Sequence, residues 1–369
     1  MNHELHKMPG DPGPGDTTWF TDRQNDFEKD QIIRQVSYKV MHWPDLPMLA
    51  SHRGSRHYYP HILPDEPGNE RLAYFDGFAD EALAYMKAED IEVHTEALNL
   101  KSSQAACINF LFPLRQELSL APTVLRNVLP DVATVTALEF EYTGQGETNR
   151  AHQPCTAWLG EPASGKRGQN RTSIDAAIFW TDTHGETHIS LVEWKYTERN
   201  FGTCSAYQKA KPDVKGRCRA LNVTATPASE CLLAGPGRHC GRRYWEHMPA
   251  AGISLTKLAP VEGCPFRGPF YQLMRQFLVA QYLREQNAAD HVDVLALEFQ
   301  GNAALRAVPR DLRPLCGGDR DTVIDAWNAV LDDVPRLRRV TAEQLMAGYD
   351  ASTGVDLDWR EYIRDRYGV

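Results

Sequence analysis

The spacing of hydrophobic residues changes period along the chain. Apolar residues recur at helical spacing in three segments, 70–87, 102–117 and 271–285. They alternate with other residues in four segments, 135–142, 173–181, 188–196 and 291–299. Helical spacing gathers apolar side chains on one face of a helix, whereas alternation gathers them on one face of a strand. The pattern therefore predicts two helices, three consecutive strands, a further helix and a fourth strand. The turn at 182–185 joins the second strand to the third.

The rest of the chain divides into three regions around this predicted core. An acidic N-terminal extension, residues 1–100, includes a Gly- and Pro-rich tail and a stretch without clear period at 17–66, which we expect to be partly irregular. The core at 101–305 contains a Cys-rich, basic insertion at 200–265. Residues 306–369 are expected to form two or three helices. The predicted fold class is α/β, with a mixed central sheet.

The net charge of −9 is unevenly distributed. Residues 1–100 contain 18 acidic and 9 basic side chains, so this region alone accounts for −9. Residues 195–243 contain ten basic side chains and three acidic ones. Phosphates respond to charge within about a Debye length, roughly 8–10 Å. The acidic total therefore does not exclude a nucleic-acid partner.

The chain contains no run of 18 apolar residues, so no membrane span is predicted. Its first residues lack the apolar core of a signal peptide. We therefore expect a cytoplasmic protein, in which the eight cysteines stay reduced.

Asp175, Glu193 and Lys195 are charged residues inside strands that are otherwise apolar. Glu193 and Lys195 are two apart, so they leave the same face of a strand, and the hairpin brings Asp175 beside them. Two neighbouring carboxylates repel each other unless a cation lies between them, and ligands that offer only oxygen suit Mg²⁺. A surface hairpin with an ion pair is the plainer interpretation of the three residues, but its apolar neighbours argue against it.

Segments 172–177 and 191–198 resemble the active-site hairpin of the PD-(D/E)XK, or restriction-endonuclease-like, nucleases. The order of predicted elements over 102–300 also resembles the αβββαβ core of that superfamily. The resemblance implies that Asp175 and Glu193 bind metal and that Lys195 is catalytic. Ile174 stands where the motif's name has proline, a position that varies widely in the superfamily.

Further site residues are suggested by the same resemblance. Many relatives add an acidic residue upstream, for which Glu139 or Glu141 on the first strand, or Glu117 on the helix, could serve. Spacing does not choose between Glu139 and Glu141, because both share one face. Gln272 and Arg275 are three apart on the helix predicted at 271–285 and could lend polar groups to the site or to the nucleic acid, or form a solvated face.

Four cysteines of the insertion form a candidate metal site: Cys204, Cys218, Cys231 and Cys240. Four thiolates can bind Zn²⁺ or an iron–sulfur cluster, and some PD-(D/E)XK nucleases carry such a cluster. Cys264 could replace one of the four. The gaps are wide and no Cys-x-x-Cys pair occurs, so ordinary packing of the cysteines is the alternative.

Residues 160–166 mimic a phosphate-binding loop, but Arg167 stands where such a loop needs Ser or Thr. Contact with the nucleic-acid backbone is the use we predict for a set of basic residues beside the site and in the insertion: Lys166, Arg167, Arg171, Lys209, Lys211 and Lys215.

The sequence thus predicts a Mg²⁺-dependent nuclease, with DNA as the favoured substrate, in repair or in defence against foreign DNA. Two other classes stay open: a non-catalytic nucleic-acid-binding module and a structural zinc protein. Paired carboxylates facing phosphates argue against a module that only binds. Sequence specificity and oligomeric state are not predicted.

Overall fold

The computed structural model describes residues 24–51, 58–92, 97–145, 154–162, 171–225, 227–234, 241–319 and 321–369. Lys166, Arg167 and Cys240, three of the predicted site residues, lie outside this part of the chain.

Helices and two short strands precede the main sheet in the chain: α1 Asp26–His42, β1 Ala50–Ser51, β2 Tyr58–Tyr59, a 3₁₀ helix Asn69–Ala73, α2 Ala79–Ala88, α3 Ser103–Gln116 and α4 Ala121–Leu125. The hairpin region contains β3 Val132–Tyr142, α5 Cys155–Trp158, β4 Ile174–Asp182 and β5 Thr187–Lys195. The insertion contains α6 Ser205–Lys209, α7 Pro212–Ala220, α8 Pro227–Glu230, α9 Tyr244–His247, α10 Leu255–Leu258 and a 3₁₀ helix Pro265–Arg267. The remainder is α11 Phe270–Glu285, β6 His291–Glu298, α12 Ala303–Arg306, a 3₁₀ helix Arg310–Leu315, α13 Val323–Ala329, β7 Arg338–Thr341, α14 Ala342–Ala351 and α15 Leu357–Tyr367.

Five of these strands form one mixed sheet in the order β3-β4-β5-β6-β7. The pairs β3/β4 and β4/β5 are antiparallel, whereas β5/β6 and β6/β7 are parallel. Hydrophobic cores cover both faces: α11, α13 and the insertion pack on one, and α2, α3, α14 and α15 on the other. This mixed α/β arrangement is compatible with a restriction-endonuclease-like fold. Because β5 lies at the centre of the sheet, its side chains are covered on both faces.

Local sequence signals explain where the key elements begin and turn. The Ser102 hydroxyl caps α3 by accepting a hydrogen bond from the backbone N–H of Ala105 at 3.3 Å. Between β4 and β5, the Asp182 carboxylate accepts hydrogen bonds from the backbone N–H groups of His184 and Glu186 at 2.8 and 2.9 Å. Gly185 supplies the left-handed backbone of this turn, with φ at 85°. The hairpin that carries the candidate site is thus fixed by its own turn.

The structure differs from the sequence-based expectation in three elements. Residues expected to be irregular form α1, because polar side chains such as Gln31, Gln35 and Lys39 are buried on its inner face and disguise the period. The predicted helix 70–87 is split into a 3₁₀ turn and α2. The C-terminal region contributes the edge strand β7, whose four residues are too few for alternation to reveal.

Helix α1 supports the end of β5 through a buried polar network. The Tyr196 hydroxyl, just past β5, donates to the side-chain oxygen of Gln31 at 2.7 Å and accepts from the Gln35 amide at 2.9 Å. The Gln35 oxygen in turn accepts from the guanidinium of Arg366 on α15 at 2.9 Å. Buried polar groups that are all paired specify one arrangement of the chain. The N- and C-terminal regions therefore both hold the strand that carries Glu193 and Lys195.

In the part of the chain that the structure describes, no helix combines the length and the apolarity that crossing a membrane would require.

Gly348 allows α14 to approach α4, and we predict that Gly348→Ala destabilises the fold. A Cβ atom at this position would overlap the backbone carbonyl oxygen of Val124, which cannot move aside easily. Overpacking of this kind costs about 1–3 kcal/mol. Chemical denaturation followed by circular dichroism would measure the change in the free energy of unfolding.

The matched control is Gly216→Ala on α7, where a Cβ atom has no heavy atom within 4 Å. There the gain in helix propensity predicts a change of at most about 1 kcal/mol in the stabilising direction. If Gly348→Ala were as stable as the control variant, the contact between α14 and α4 would not be this close.

Candidate active site

The candidate site lies where β4 begins and β5 ends. Ala176 pairs with Val192 across these antiparallel strands, so Asp175 comes next to Glu193 in the register. The Asp175 carboxylate accepts a hydrogen bond from the backbone N–H of Trp194 at 2.7 Å. The structure therefore brings together Asp175 and the Glu193–Lys195 segment, as the hairpin in the sequence predicts.

Trp194 determines which way its two neighbours point. Its indole is fully buried on the α3 face of the sheet, with ring centroids 5.0 Å from Phe110 and 6.4 Å from Phe299. Successive side chains of a strand alternate between faces, so Glu193 and Lys195 both leave the opposite face. The Lys195 Nζ atom lies 2.5 Å from the Glu193 Oε1 atom.

Helix α11 completes the surroundings of Glu193. The side-chain amide of Gln276 donates a hydrogen bond to Glu193 Oε2. Glu193 is 0% exposed and Gln276 is 1% exposed, so both side chains are buried. A buried carboxylate needs partners of this kind to replace its lost hydration.

Glu141 on β3 is a third carboxyl group at the site. Its side chain accepts hydrogen bonds from the Gln104 amide at 2.8 Å and from the Ser173 hydroxyl. Its backbone is left-handed, with φ at 46°, which interrupts the alternation of the strand. As a result Glu141 and its neighbour Phe140 line the same small cavity, together with Asp175.

The other two upstream acids occupy different surroundings. Glu139 is fully buried two residues before Glu141 on β3. Glu117 lies just past the end of α3, on the surface, where it accepts a hydrogen bond from the backbone N–H of Ser119 at 3.3 Å. Of the three, Glu141 is the one that shares a cavity with Asp175.

The electrostatics of the site reflect crowded acidic groups. Burial raises the pKa of Asp175 well above its usual range, and the charge of Glu193 raises it further. Burial also raises the pKa of Glu193, although Lys195 opposes this effect. Burial alone would lower the pKa of Lys195, but Glu193 and Asp175 raise it above its usual range. Lys195 is thus held in its charged form. Any added positive charge would stabilise the ionised form of the carboxyl groups beside it.

Arg275, predicted to contact nucleic acid, lies within a network that supports the start of β4. Its guanidinium donates to the Thr172 hydroxyl oxygen at 2.8 Å and lies 3.9 Å from a carboxylate oxygen of Glu161. Glu161 also accepts hydrogen bonds from the backbone N–H of Thr172 at 2.6 Å and from the Tyr244 hydroxyl at 2.6 Å. This network fixes the chain immediately before Ser173 and Asp175.

The remaining predicted residues are spread over the surroundings of the site. Gln272 lies on α11 against the backbone of Gly202. Arg171, immediately before the Thr172 network, is half-buried. Lys209 and Lys211 are exposed, and Lys215 is half-buried with its ammonium group 5.5 Å from the centre of the Tyr207 ring. The contacts of these residues with nucleic acid stay predictions.

Sequence reasoning missed Gln276 and Gln104, which hold two of the acidic side chains. Gln276 follows Gln272 by one helical turn and precedes a strongly apolar run at 277–280. A glutamine next to such a run is a signal of a buried polar group with a specific partner. Gln104 lies in the first turn of α3, where no pattern in the sequence links it to β3.

The cysteine candidates and a second set of possible metal ligands lie elsewhere. Three of the predicted cysteines line one cavity, Cys264 joins them there, and Cys240 is outside the described residues. Glu186, His188 and His291 bring ligand atoms within 4.8 Å of one another and could hold a metal ion. They lie at the start of β5 and β6, and His188 is about 17 Å from Glu193 along the strand.

Comparison with known proteins identifies the family. The model of the family described as "Restriction Endonuclease associating with ARP" matches residues 50–368. The curated proteins and the solved structures contain no match. The family match includes the whole hairpin, α11 and the insertion between them. This chain therefore belongs to the family of restriction endonucleases associating with ARP.

Proposed function

We propose that this protein is a Mg²⁺-dependent nuclease of the PD-(D/E)XK type, which hydrolyses phosphodiester bonds of DNA in the cytoplasm. Its family supports a nuclease-type function. One observation carries the finer proposal: Asp175 lies opposite Glu193 in the register of the hairpin, and the ammonium group of Lys195 contacts Glu193. Glu141 is a third carboxyl group, which lines a cavity with Asp175.

The residues at this site fit a magnesium ion. Asp175 and Glu193 would hold it, because both offer oxygen ligands and both repel each other in its absence. Their raised pKa values are the expected signature of a site that needs a cation. When bound, Mg²⁺ would polarise a phosphoryl oxygen and make a bound water more acidic.

The side chains around the two ligands would hold them in place and supply a positive charge. Gln276 holds one oxygen of Glu193, and Lys195 approaches the other, so this carboxylate cannot rotate freely. Lys195 keeps its proton at neutral pH, because Glu193 and Asp175 raise its pKa. A fixed cation would orient the attacking water and stabilise the negative charge that develops on the phosphate.

The other function classes have less support. A module that only binds nucleic acid has no use for neighbouring carboxyl groups such as Asp175 and Glu193, which would repel phosphates. A structural zinc protein would not explain why Gln104, Gln276 and Ser173 hold these carboxyl groups. DNA is the proposed substrate because the family is one of restriction endonucleases. The exposed lysines of the insertion would contact its phosphates.

We predict that Asp175→Asn, Glu193→Gln and Lys195→Ala each lower the rate of DNA cleavage by at least about 10²–10³-fold. The first two remove a ligand charge, and the third removes the cation beside it. Cleavage of a labelled duplex with Mg²⁺, and with EDTA as the metal-free reference, would measure the rates. Cleavage at the wild-type rate by any of these variants would reject the active-site assignment.

The pair Glu141→Gln and Glu139→Gln provides a matched control for the same assay. Both variants neutralise a buried glutamate on β3, but only Glu141 shares the cavity with Asp175. We expect a large loss of cleavage for Glu141→Gln and a smaller one for Glu139→Gln. Thermal melting of both variants would separate a catalytic effect from a folding effect.

We predict that Asp175→Asn stabilises the metal-free protein at pH 8. The raised pKa means that the folded chain binds a proton at Asp175 more tightly than the unfolded chain does. The contribution of Asp175 to the free energy of unfolding is therefore greatest below the ordinary carboxyl pKa of about 4. It is lost as the pH rises through the higher pKa of the folded state. Asparagine keeps the hydrogen bond to Trp194 without the charge, so melting in EDTA should occur a few degrees higher.

Asp30→Asn, at an exposed position of α1, is the control for this measurement. It should leave the dependence of melting temperature on pH unchanged, whereas Asp175→Asn should flatten it. Added Mg²⁺ should raise the melting temperature of the wild type and not of Asp175→Asn. A wild-type protein whose stability in EDTA rises from pH 5 to pH 8 through Asp175 would contradict the predicted sign.

We predict that replacing Lys209, Lys211 and Lys215 together by alanine weakens DNA binding at every sequence. Each lost phosphate contact should reduce the slope of log K against log salt by roughly one unit. Fluorescence anisotropy with a catalytically inactive variant, over a series of salt concentrations, would give the slope.

A second triple variant serves as the control, with alanine at Lys87, Arg126 and Arg310. These three basic residues are exposed and lie outside the insertion. Their removal changes the net charge by the same amount but should leave the slope unchanged. If the slope of log K against log salt were equal for the two triple variants, the DNA-binding surface would lie outside the insertion.

A further inference from the structure

Four cysteines of the insertion meet at one cavity. Cys204 precedes α6, Cys218 lies in α7, Cys231 follows α8, and Cys264 precedes the 3₁₀ helix Pro265–Arg267. All four line the same pocket, although they come from four separate turns of the chain. The rest of the lining is largely apolar and includes Leu221, Leu233, Trp245, Met248, Phe266 and Met274. Four thiols in such a pocket form a soft donor set, which selects zinc or iron–sulfur centres.

Burial raises the pKa of the Cys204 thiol, and the nearby backbone N–H groups of Ala206 and Tyr207, at the start of α6, partly oppose this effect. Cys204 occupies the N-cap position of this short helix, where N–H groups lack partners within the helix. Donors of this kind favour the thiolate form over the thiol.

Two of the other cysteines have similar surroundings. Burial raises the pKa of Cys218 and of Cys264, and the backbone N–H of Leu232 for the first and that of Phe266 for the second partly oppose this effect. Each donor lies in a different segment of the insertion. The backbone therefore surrounds these sulfurs with partners that suit a negative charge.

The four sulfurs are close enough to influence one another. Burial raises the pKa of Cys264 above its usual range, and the other three cysteines add to the rise. Burial likewise raises the pKa of Cys204 to about 11. Arg217 and Arg267 supply nearby positive charge, since both lower the pKa of Cys218.

The fold holds two of the cysteines together through their backbones. The N–H of Cys264 donates to the carbonyl oxygen of Cys218 at 2.7 Å. Gly263, with φ at 74°, permits this approach, because a Cβ atom there would overlap the carbonyl oxygens of Cys218 and Arg219. The two segments meet across 46 residues of chain, so their contact is a tertiary feature of the insertion.

The spacing of the sulfurs bears on the kind of metal centre. One zinc ion bound to four sulfurs at about 2.3 Å would hold them about 3.8 Å apart. In the described part of the chain, the group of potential ligands whose donor atoms all lie within 4.8 Å is Glu186, His188 and His291. No three of these four described cysteine sulfurs are that close. A cluster of several iron atoms, each bonded to one cysteine, needs the wider spacing.

We propose that Cys204, Cys218, Cys231 and Cys264 hold one iron–sulfur cluster, which organises the insertion. The described cysteines are all free thiols, so no disulfide among them performs this role. The helices of the insertion span four to nine residues and are too short to be stable by themselves. A cluster would link these helices to one another beside Met274 and Tyr271 of α11, the helix that also carries Gln276. This role is structural and involves no electron transfer.

The test is the metal content of the full-length protein purified without oxygen. We expect iron and acid-labile sulfide in equal amounts, about four of each per chain, and a brown colour. Stoichiometric zinc, or no metal, would overturn the iron–sulfur assignment. This measurement needs no variant and no cleavage assay, so its failure is separate from a failure of the proposed nuclease function.

A matched pair of variants tests the ligand set. We expect Cys264→Ala to lose most of its iron and visible absorbance, whereas Cys240→Ala, in the same insertion, should keep both. Cys316→Ala, at a half-buried cysteine outside the pocket, is a second control. Iron that is retained in Cys264→Ala and lost in Cys240→Ala would overturn Cys264 as a ligand. Circular dichroism of each variant would show whether the sheet still folds.

Discussion

The carboxylate of Glu193 is fully buried in the centre of the sheet, and a buried charge is tolerated only where partners replace its lost hydration. Two elements supply those partners: its own strand contributes Lys195 and α11 contributes Gln276. Strand β4 contributes Asp175, a second carboxylate, which repels Glu193 unless a cation lies between them. Losing Lys195 or Gln276 would therefore leave Glu193 uncompensated, whereas losing Asp175 would relieve a repulsion.

The same constraint explains the layers around the sheet. Trp194 fills the α3 face between Glu193 and Lys195, so the polar side chains must leave toward α11. Beyond the strand, Tyr196 is held by α1 and, through Gln35, by α15. The described parts of the terminal regions thus support the candidate site by fixing the end of β5.

Helix α11 lies between the candidate active site and the cysteine pocket. One part of its surface gives Gln276 to the carboxylate site, and another part gives Tyr271 and Met274 to the cysteine pocket. A rigid helix transmits any shift at one site to the other, because its side chains move as a body. The insertion and the carboxylate site therefore both pack against the same helix.

Hydrophobic spacing in the sequence was sufficient to predict β3 to β6, α3 and α11, since long periodic segments retain their preference in the folded chain. The hairpin turn and the two-residue spacing of Glu193 and Lys195 were also sufficient to predict their meeting with Asp175, because these relations are local. Helix α1 and β7 were not predicted. The buried polar side chains of α1 obscure its hydrophobic period, and β7 depends on its pairing with β6.

Only the tertiary structure decided between Glu139 and Glu141 as the neighbour of Asp175. The left-handed backbone at Glu141 turns its side chain toward α3, and strand spacing cannot reveal such a turn. Likewise, the sequence alone located the cysteines but could not decide that Cys264 joins Cys204, Cys218 and Cys231. Contacts between segments far apart in the chain depend on how the sheet and helices pack, and no local pattern encodes them.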